Sequence, residues 1–204
     1  MLSRAVSSSV SQCVLGLHLQ HDVQFSLDTQ IDQITALPLT VKVNGTDLIK
    51  TDMIIAGVGS IPSIELAQIA GLDVSNGICV DTHMRSSDPD IYAAGDCCSF
   101  PLYGPRGTRS RLESWQAAGD QGALAGSNII VDSPAEYTKT PWFWSEQYDH
   151  VLQVAGLATE EMKFVERSYS DSHHITFGIN PDGSLGYVCG IAPGFKTAKT
   201  SAFQ

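Results

Sequence analysis

The stretch Arg85-Ser-Ser-Asp-Pro-Asp-Ile-Tyr-Ala-Ala-Gly95-Asp96 constrains this chain more than any other. A turn built on Asp88-Pro89-Asp90 leads into a short apolar segment, Ile91 to Ala94, whose pattern predicts a strand. The segment stops at a glycine that is followed at once by a carboxylate. In an open α/β sheet, ligands sit beyond the carboxyl ends of the strands, so a residue in the position of Asp96 faces bound ligand. An ionised Asp only accepts hydrogen bonds, which suits it to gripping hydroxyl groups. Gly95 keeps the backbone slim enough for a ligand to approach. An ordinary strand ended by an Asp turn would read the same way, so the segment alone leaves both possibilities open.

The pattern on either side predicts alternating helices and strands. Residues 3–20 carry apolar positions at helical spacing interrupted by serines, and predict a surface helix. Val23 to Leu27 alternates as a strand does. Leu39 to Val43, then Asn44-Gly45, then Thr46 to Ile49 predicts a hairpin, because Asn-Gly supplies the positive φ angles of a tight turn. Met53 to Gly57 is a continuous apolar run of the kind found in strands buried on both faces. The glycines of Gly57-Val-Gly59-Ser-Ile-Pro62 permit close backbone approach by a ligand. With Pro at the sixth position, this is not the GxGxxG dinucleotide fingerprint. A short helix from Ile64 to Ala70 should end at Gly71, and Gly77 to Asp81 predicts a further strand.

Ser114 predicts an N-cap for a helix running to about Val131. Gly119, Gly122 and Gly126 each cost helix stability of about 1 kcal/mol relative to Ala, and so ask for close packing against a flat neighbour. Ser133 to Glu136 reads as a linker. Beyond it, Pro141-Trp-Phe-Trp144 opens a series of short strands (Leu152–Ala155, Met162–Val165, Ile175–Ile179 and Leu185–Val188), which suggests a small α+β unit.

Composition narrows the function. The net charge of −10 argues against nucleic acid or an anionic membrane as the main partner. No apolar run approaches the roughly 18 residues of a membrane span. The five cysteines form no CxxC pair and no zinc spacing. Their odd number, with no secretory leader in the sequence, predicts a cytoplasmic protein. The histidines are scattered and no metal set accompanies them.

Taken in order, GVGSIPSIELAQIAGL, NGICVDTHMRSSDPDIYAAGD, RLESWQAAGDQGALAGSNI and PWFWSEQYDHVLQVAGL resemble the FAD-dependent ferredoxin and rubredoxin reductase family. That family includes the putidaredoxin reductase-like proteins and the reductase components of ring-hydroxylating dioxygenases. The resemblance implies α/β architecture, with FAD/NAD(P)-binding, Rossmann-like portions followed by a small α+β C-terminal reductase domain. It also implies a C-terminal fragment. Residues 1–60 would be the end of the NAD(P)-binding domain, 61–137 the second segment of the FAD-binding domain, and 138–204 an incomplete reductase domain. The implied reaction passes electrons from NAD(P)H through FAD to a ferredoxin or rubredoxin.

The resemblance implies cofactor-binding roles residue by residue. Asp96 would bond the ribityl chain of FAD, with Gly95 beside it. The helix start at Ser114-Trp115 would offer a backbone N–H to the pyrimidine edge of the flavin. Trp144 would lie by the flavin near the docking face. Gly57 and Gly59 would approach the nicotinamide end. Ser63 stands where the family usually has Asn, and Cys98 where it usually has Ala. Arg106, Arg109 and Arg111 form either a basic face for an acidic ferredoxin or an ordinary solvated loop. Two other readings remain: a relative on the same scaffold, such as an NADH oxidase or nitrite reductase flavoprotein, or a truncated remnant that cannot hold FAD alone.

Overall fold

The computed structural model describes residues 2, 6–45, 47–102 and 107–194. Arg106 therefore lies outside the described residues, as do positions 195–204.

Helix α1 (Ser8–Gln20) starts where Ser7 in extended backbone accepts from the N–H of Val10. It is not the surface helix its serines suggest. Val10, Cys13, Val14 and Leu17 fall on one stripe, which is buried against Leu152, Val154, Tyr187, Cys189 and Ile191. Those residues belong to an antiparallel sheet of five strands: β7 (Trp142–Gln147), β8 (His150–Gly156), β9 (Lys163–Ser170), β10 (His173–Ile179) and β11 (Leu185–Pro193), in the order β7-β8-β11-β10-β9. The start of the chain thus supplies the helical layer for its C-terminal sheet.

Two devices hold this seam. At one end of the helix, Ser7 Oγ lies 2.7 Å from Oγ1 of the fully buried Thr176 on β10. At the other, the turn between β7 and β8 clasps the helix end. Tyr148, left-handed at φ 59°, stacks on His21 with ring centroids 3.6 Å apart. His18 Nε2 donates to Gln147 Oε1 at 2.9 Å, which leaves Nδ1 to accept from the Tyr148 hydroxyl at 3.0 Å.

After α1 the chain forms a three-stranded antiparallel sheet, β1 (Ile31–Ala36), β2 (Leu39–Val43) and β3 (Asp47–Lys50). The expected hairpin joins β2 to β3, with Asn44 at φ 48° and Gly45 at φ 80°. Neither Val23–Leu27 nor Met53–Gly57 forms a strand. Each is apolar enough, but no described strand lies alongside to complete a ladder. Ile55 is left 88% exposed.

The middle of the chain holds α2 (Glu65–Ile69), β4 (Ile78–Cys79), β5 (Cys98–Pro101), β6 (Arg109–Ser110) and α3 (Trp115–Asn128). β4 and β5 pair in parallel, and β5 pairs antiparallel with β6. A second core forms around Val80, Met84, Cys98, Phe100, Leu102, Ala125 and Tyr137. Asn128 ties the linker to this core, bonding both the N–H and the C=O of Ala135.

Candidate flavin-facing site

The segment before Asp96 differs from the sequence expectation. Ile91 to Ala94 makes no strand, only a single antiparallel bridge between Arg85 and Tyr92. The Asp88-Pro89-Asp90 turn folds the chain back on itself too tightly for a ladder. Ile91 N–H donates to Asp88 O, and Ala93 N–H donates to Met84 O. Asp96 then sits, exposed, in a 3-10 turn over Gly95–Cys97. Gly95 has φ 80°, a left-handed geometry that disfavours a side chain. A Cβ there would also stand 3.3 Å from the Cβ of Ala118, in the first turn of α3. The glycine thus admits the close approach of the helix.

Helix α3 begins as the sequence predicts, with the Ser114 side chain accepting from Ala117 N–H at 3.2 Å. The N–H groups of Trp115 and Gln116 precede the first intrahelical bonds, so the helix end carries unpaired donors and partial positive charge. The Asp96 turn packs against this same first turn through Gly95 and Ala118. An exposed carboxylate and a set of free amide donors therefore share one edge of the molecule. The stripe facing inward from α3 is Ala117, Gln121, Ala125 and Asn128. Gly119, Gly122 and Gly126 face open space, so no described neighbour accounts for them.

Trp115 is 82% exposed, and its ring meets Trp144 edge-on at 6.5 Å. Trp144 in turn stacks on Trp142, with centroids 4.8 Å apart. The period-2 spacing in β7 puts Trp142 and Trp144 on one face, a signal carried by the sequence itself. Gly57 and Gly59 lie in an exposed segment without regular secondary structure. Ser60 connects that segment to the site, donating to Glu113 Oε1 at 3.1 Å.

Of Arg106, Arg109 and Arg111, the last two lie among the described residues, and both bond within the chain. Arg109 Nη1 donates to Val80 O at 3.1 Å and also to Ser99 O, capping backbone carbonyls of the small sheet. Arg111 is paired with Glu113 and bonds Asp96 O and Asn76 Oδ1. Both guanidinium groups are committed inside the chain. Burial, with the neighbouring Cys97 adding to it, pushes the Cys98 thiol up to about 12. The thiol keeps its proton and donates it to Gln121 Oε1.

Residues 1–122 match the model of the pyridine nucleotide-disulphide oxidoreductases, and residues 142–192 match that of the reductase C-terminal domain. The chain belongs to the pyridine nucleotide-disulphide oxidoreductase family. It is 40% identical over 174 residues to a rhodocoxin reductase of Rhodococcus erythropolis, covering 84% of this chain and 40% of that protein. It is 37% identical over 190 residues to the ferredoxin–NAD(+) reductase component of an anthranilate 1,2-dioxygenase system from Burkholderia cepacia, covering 91% of this chain and 46% of the relative. Among solved structures, a ferredoxin reductase from Rhodopseudomonas palustris superposes with a TM-score of 0.84 at 29% identity, over 94% of this chain and 48% of that one. The reductase in a covalent putidaredoxin reductase–putidaredoxin complex gives 0.83 at 30% identity, over 93% and 46%. The chain therefore spans less than half the length of the curated relatives described. Within this family, the α/β portion and the reductase C-terminal sheet are the two parts expected from the sequence.

Proposed function

We propose that this chain forms the C-terminal part of an NAD(P)H-dependent flavoprotein oxidoreductase that delivers electrons to a ferredoxin or rubredoxin. The observation that carries the reading is the contact between the Asp96 turn and the first turn of α3. Bound FAD would supply the chemistry that links two-electron hydride transfer from a nicotinamide to one-electron release. The residues present suit that group. Asp96 would accept from hydroxyls of its ribityl chain, with Gly95 setting the turn. The amide end of α3 at Trp115 would donate to the electron-rich pyrimidine edge. Trp115 and Trp144 would exclude water from the ring, and Gly57 and Gly59 would leave room for the nicotinamide end. We divide the chain at about residues 60 and 137, with a nicotinamide portion before, a flavin portion between and a reductase domain after.

The acceptor is assigned by analogy with the relatives, whose names specify rhodocoxin and ferredoxin partners. We place the protein in the cytoplasm, where five unbridged cysteines are in keeping with a reducing compartment. Among the described residues, no helix is long and apolar enough to cross a membrane.

A second observation bears on the chain by itself. Val58 and Ile61 are 93% and 90% exposed, and Leu66, Ile69 and Ile130 are almost as open. A surface this apolar calls for a protein cover. It favours the reading that these 204 residues alone hold FAD poorly.

The test is purification of the complete gene product and of this chain alone. The complete product should carry visible flavin absorbance, bleach with NADH or NADPH, and reduce an added ferredoxin. Asp96→Ala should weaken FAD binding about tenfold or more. A complete product that neither retains nor takes up flavin would refute the reading.

A further inference from the structure

We propose that Arg111 and Gln121 are positioning residues of the flavin site, gripping the Asp96 turn from its two sides and fixing it to α3. This rests on the function proposed above and adds to it the means by which the carboxylate is held. Gln121 Oε1 accepts the N–H of Gly95 at 2.8 Å, and Arg111 Nη1 donates to the C=O of Asp96 at 3.3 Å. The two bonds bracket the peptide that joins Gly95 to Asp96. Gln121 lies two turns into α3, and Arg111 lies just ahead of its cap. One anchor therefore belongs to the helix whose amide end faces the same edge, and the other to the segment leading into it.

Arg111 reaches further. Its Nη1 also meets Glu113, and its Nε points to Asn76 Oδ1 at 3.4 Å. Glu113 receives the hydroxyl of Ser60 at 3.1 Å. One guanidinium thus draws together the Asp96 turn and the approach to α3, and through Glu113 the segment that follows Gly57 and Gly59. A planar fork with several fixed N–H directions can do this; a lysine ammonium on a flexible stem cannot hold the same directions.

Gln121 carries its own sign of a dedicated role. It is 1% exposed, and its Nε2 finds no acceptor among the described residues. Its oxygen is fixed toward the turn because both Gly95 N–H and the Cys98 thiol must donate to it. An amide that leaves a buried donor unmet gives up stability, and what it secures here is the turn.

The experiment compares wild type, Arg111→Gln, Arg111→Lys, Gln121→Leu and a control, Arg109→Met, in the complete gene product. Arg109 caps carbonyls of the same small sheet without touching Asp96. Three quantities are read: amide exchange at residues 95–97, the FAD dissociation constant by flavin fluorescence, and the visible circular dichroism of bound flavin. Arg111→Gln and Gln121→Leu should speed exchange in the turn, weaken FAD roughly tenfold to a hundredfold and alter the dichroism. Arg111→Lys should fall between them and wild type. Arg109→Met should lower the melting temperature yet leave affinity and dichroism unchanged. If Arg109→Met shifts the flavin signals as far as Arg111→Gln, the role is general stability and the proposal fails. Wild-type affinity and dichroism in Arg111→Gln and Gln121→Leu would overturn it while leaving the flavoprotein reading intact. A wild type that binds no flavin would overturn both.

Discussion

Replacing Ser7 by Ala removes one oxygen and disturbs two structures at once. Its Oγ is the N-cap of α1, accepting from Val10 N–H at 3.5 Å, and it bonds the Thr176 hydroxyl inside the C-terminal sheet at 2.7 Å. The cap bond is long, so its loss costs toward the low end of the usual range, about 0.5 kcal/mol. Leaving the Thr176 hydroxyl buried without its partner costs about 1–3 kcal/mol. Together the loss should be about 1.5–3.5 kcal/mol, which for a chain of this length lowers Tm by roughly 3–14 °C. Thr176→Val keeps the side-chain shape and leaves Ser7 its neighbour Ser9 Oγ at 3.0 Å, so it should cost under about 1 kcal/mol. In the Thr176→Val background, Ser7→Ala no longer strands a hydroxyl and should lose only the cap. The double-mutant cycle, read by urea unfolding followed through tryptophan fluorescence, should give a coupling of about 1–3 kcal/mol. Additivity to within about 0.5 kcal/mol would show that this bond does not fasten α1 to the sheet.

Two further outcomes follow from particular atoms. Gly156 has φ 78°, and a Cβ there would fall 1.9 Å from Gly186 O, a backbone atom that cannot rotate away. Gly156→Ala should therefore lose more than about 2 kcal/mol in the same unfolding assay, and a loss under half of that would show that β8 and β11 can separate locally. Burial raises the Cys98 thiol from 9.0 to about 12 and the Tyr137 hydroxyl from 10.0 to about 12. The folded chain keeps protons that the unfolded chain gives up, so this contribution is whole below pH 9.0 and lost as pH rises toward about 12. Unfolding midpoints should fall across that window, and Cys98→Ala should flatten part of the slope; a slope unchanged by the variant would assign it elsewhere.

Local signals in the sequence were strong where the chain itself completes the structure. Asn44-Gly45 specified its hairpin because the turn and both strands lie within a dozen residues. Ser114 specified the start of α3 because a cap acts over three residues. The strands after Pro141 were visible because each finds its partner inside the same sheet. Val23–Leu27 and Met53–Gly57 misled for the complementary reason. Their apolar patterns suit burial in a ladder, but a strand exists only where a second strand accepts its hydrogen bonds. The packing of α1 was hidden differently: its serines dilute the apolar stripe, and nothing local says that a helix at the start of the chain meets strands about 140–190 residues along. Arg109 and Arg111 were ambiguous because charge alone does not reveal whether a guanidinium faces water or backbone carbonyls.

The same contrast separates the two ends of the candidate site. The Asp96 turn, the start of α3 and the Trp115–Trp144 pair are joined by a buried glutamine, a cap, a close glycine contact and an aromatic edge, all within the chain. The segment around Gly57 and Gly59 meets this frame through the Ser60–Glu113 bond, and its apolar side chains face outward. If this frame faces flavin as proposed, a site preorganised in this way spends little of its binding free energy on ordering those groups. The proposed nicotinamide side has no such frame among the described residues, and its order would come from whatever covers Ile55, Val58 and Ile61. Hydrogen exchange resolves the two. Amides of residues 95–97 and the second turn of α3 should be protected in this chain alone, whereas those of 53–62 should exchange near the unprotected rate and slow only in the complete gene product. Equal protection of both segments in the isolated chain would mean that the outward apolar residues are already packed, and the distinction between a built flavin edge and an unbuilt nicotinamide edge would be wrong.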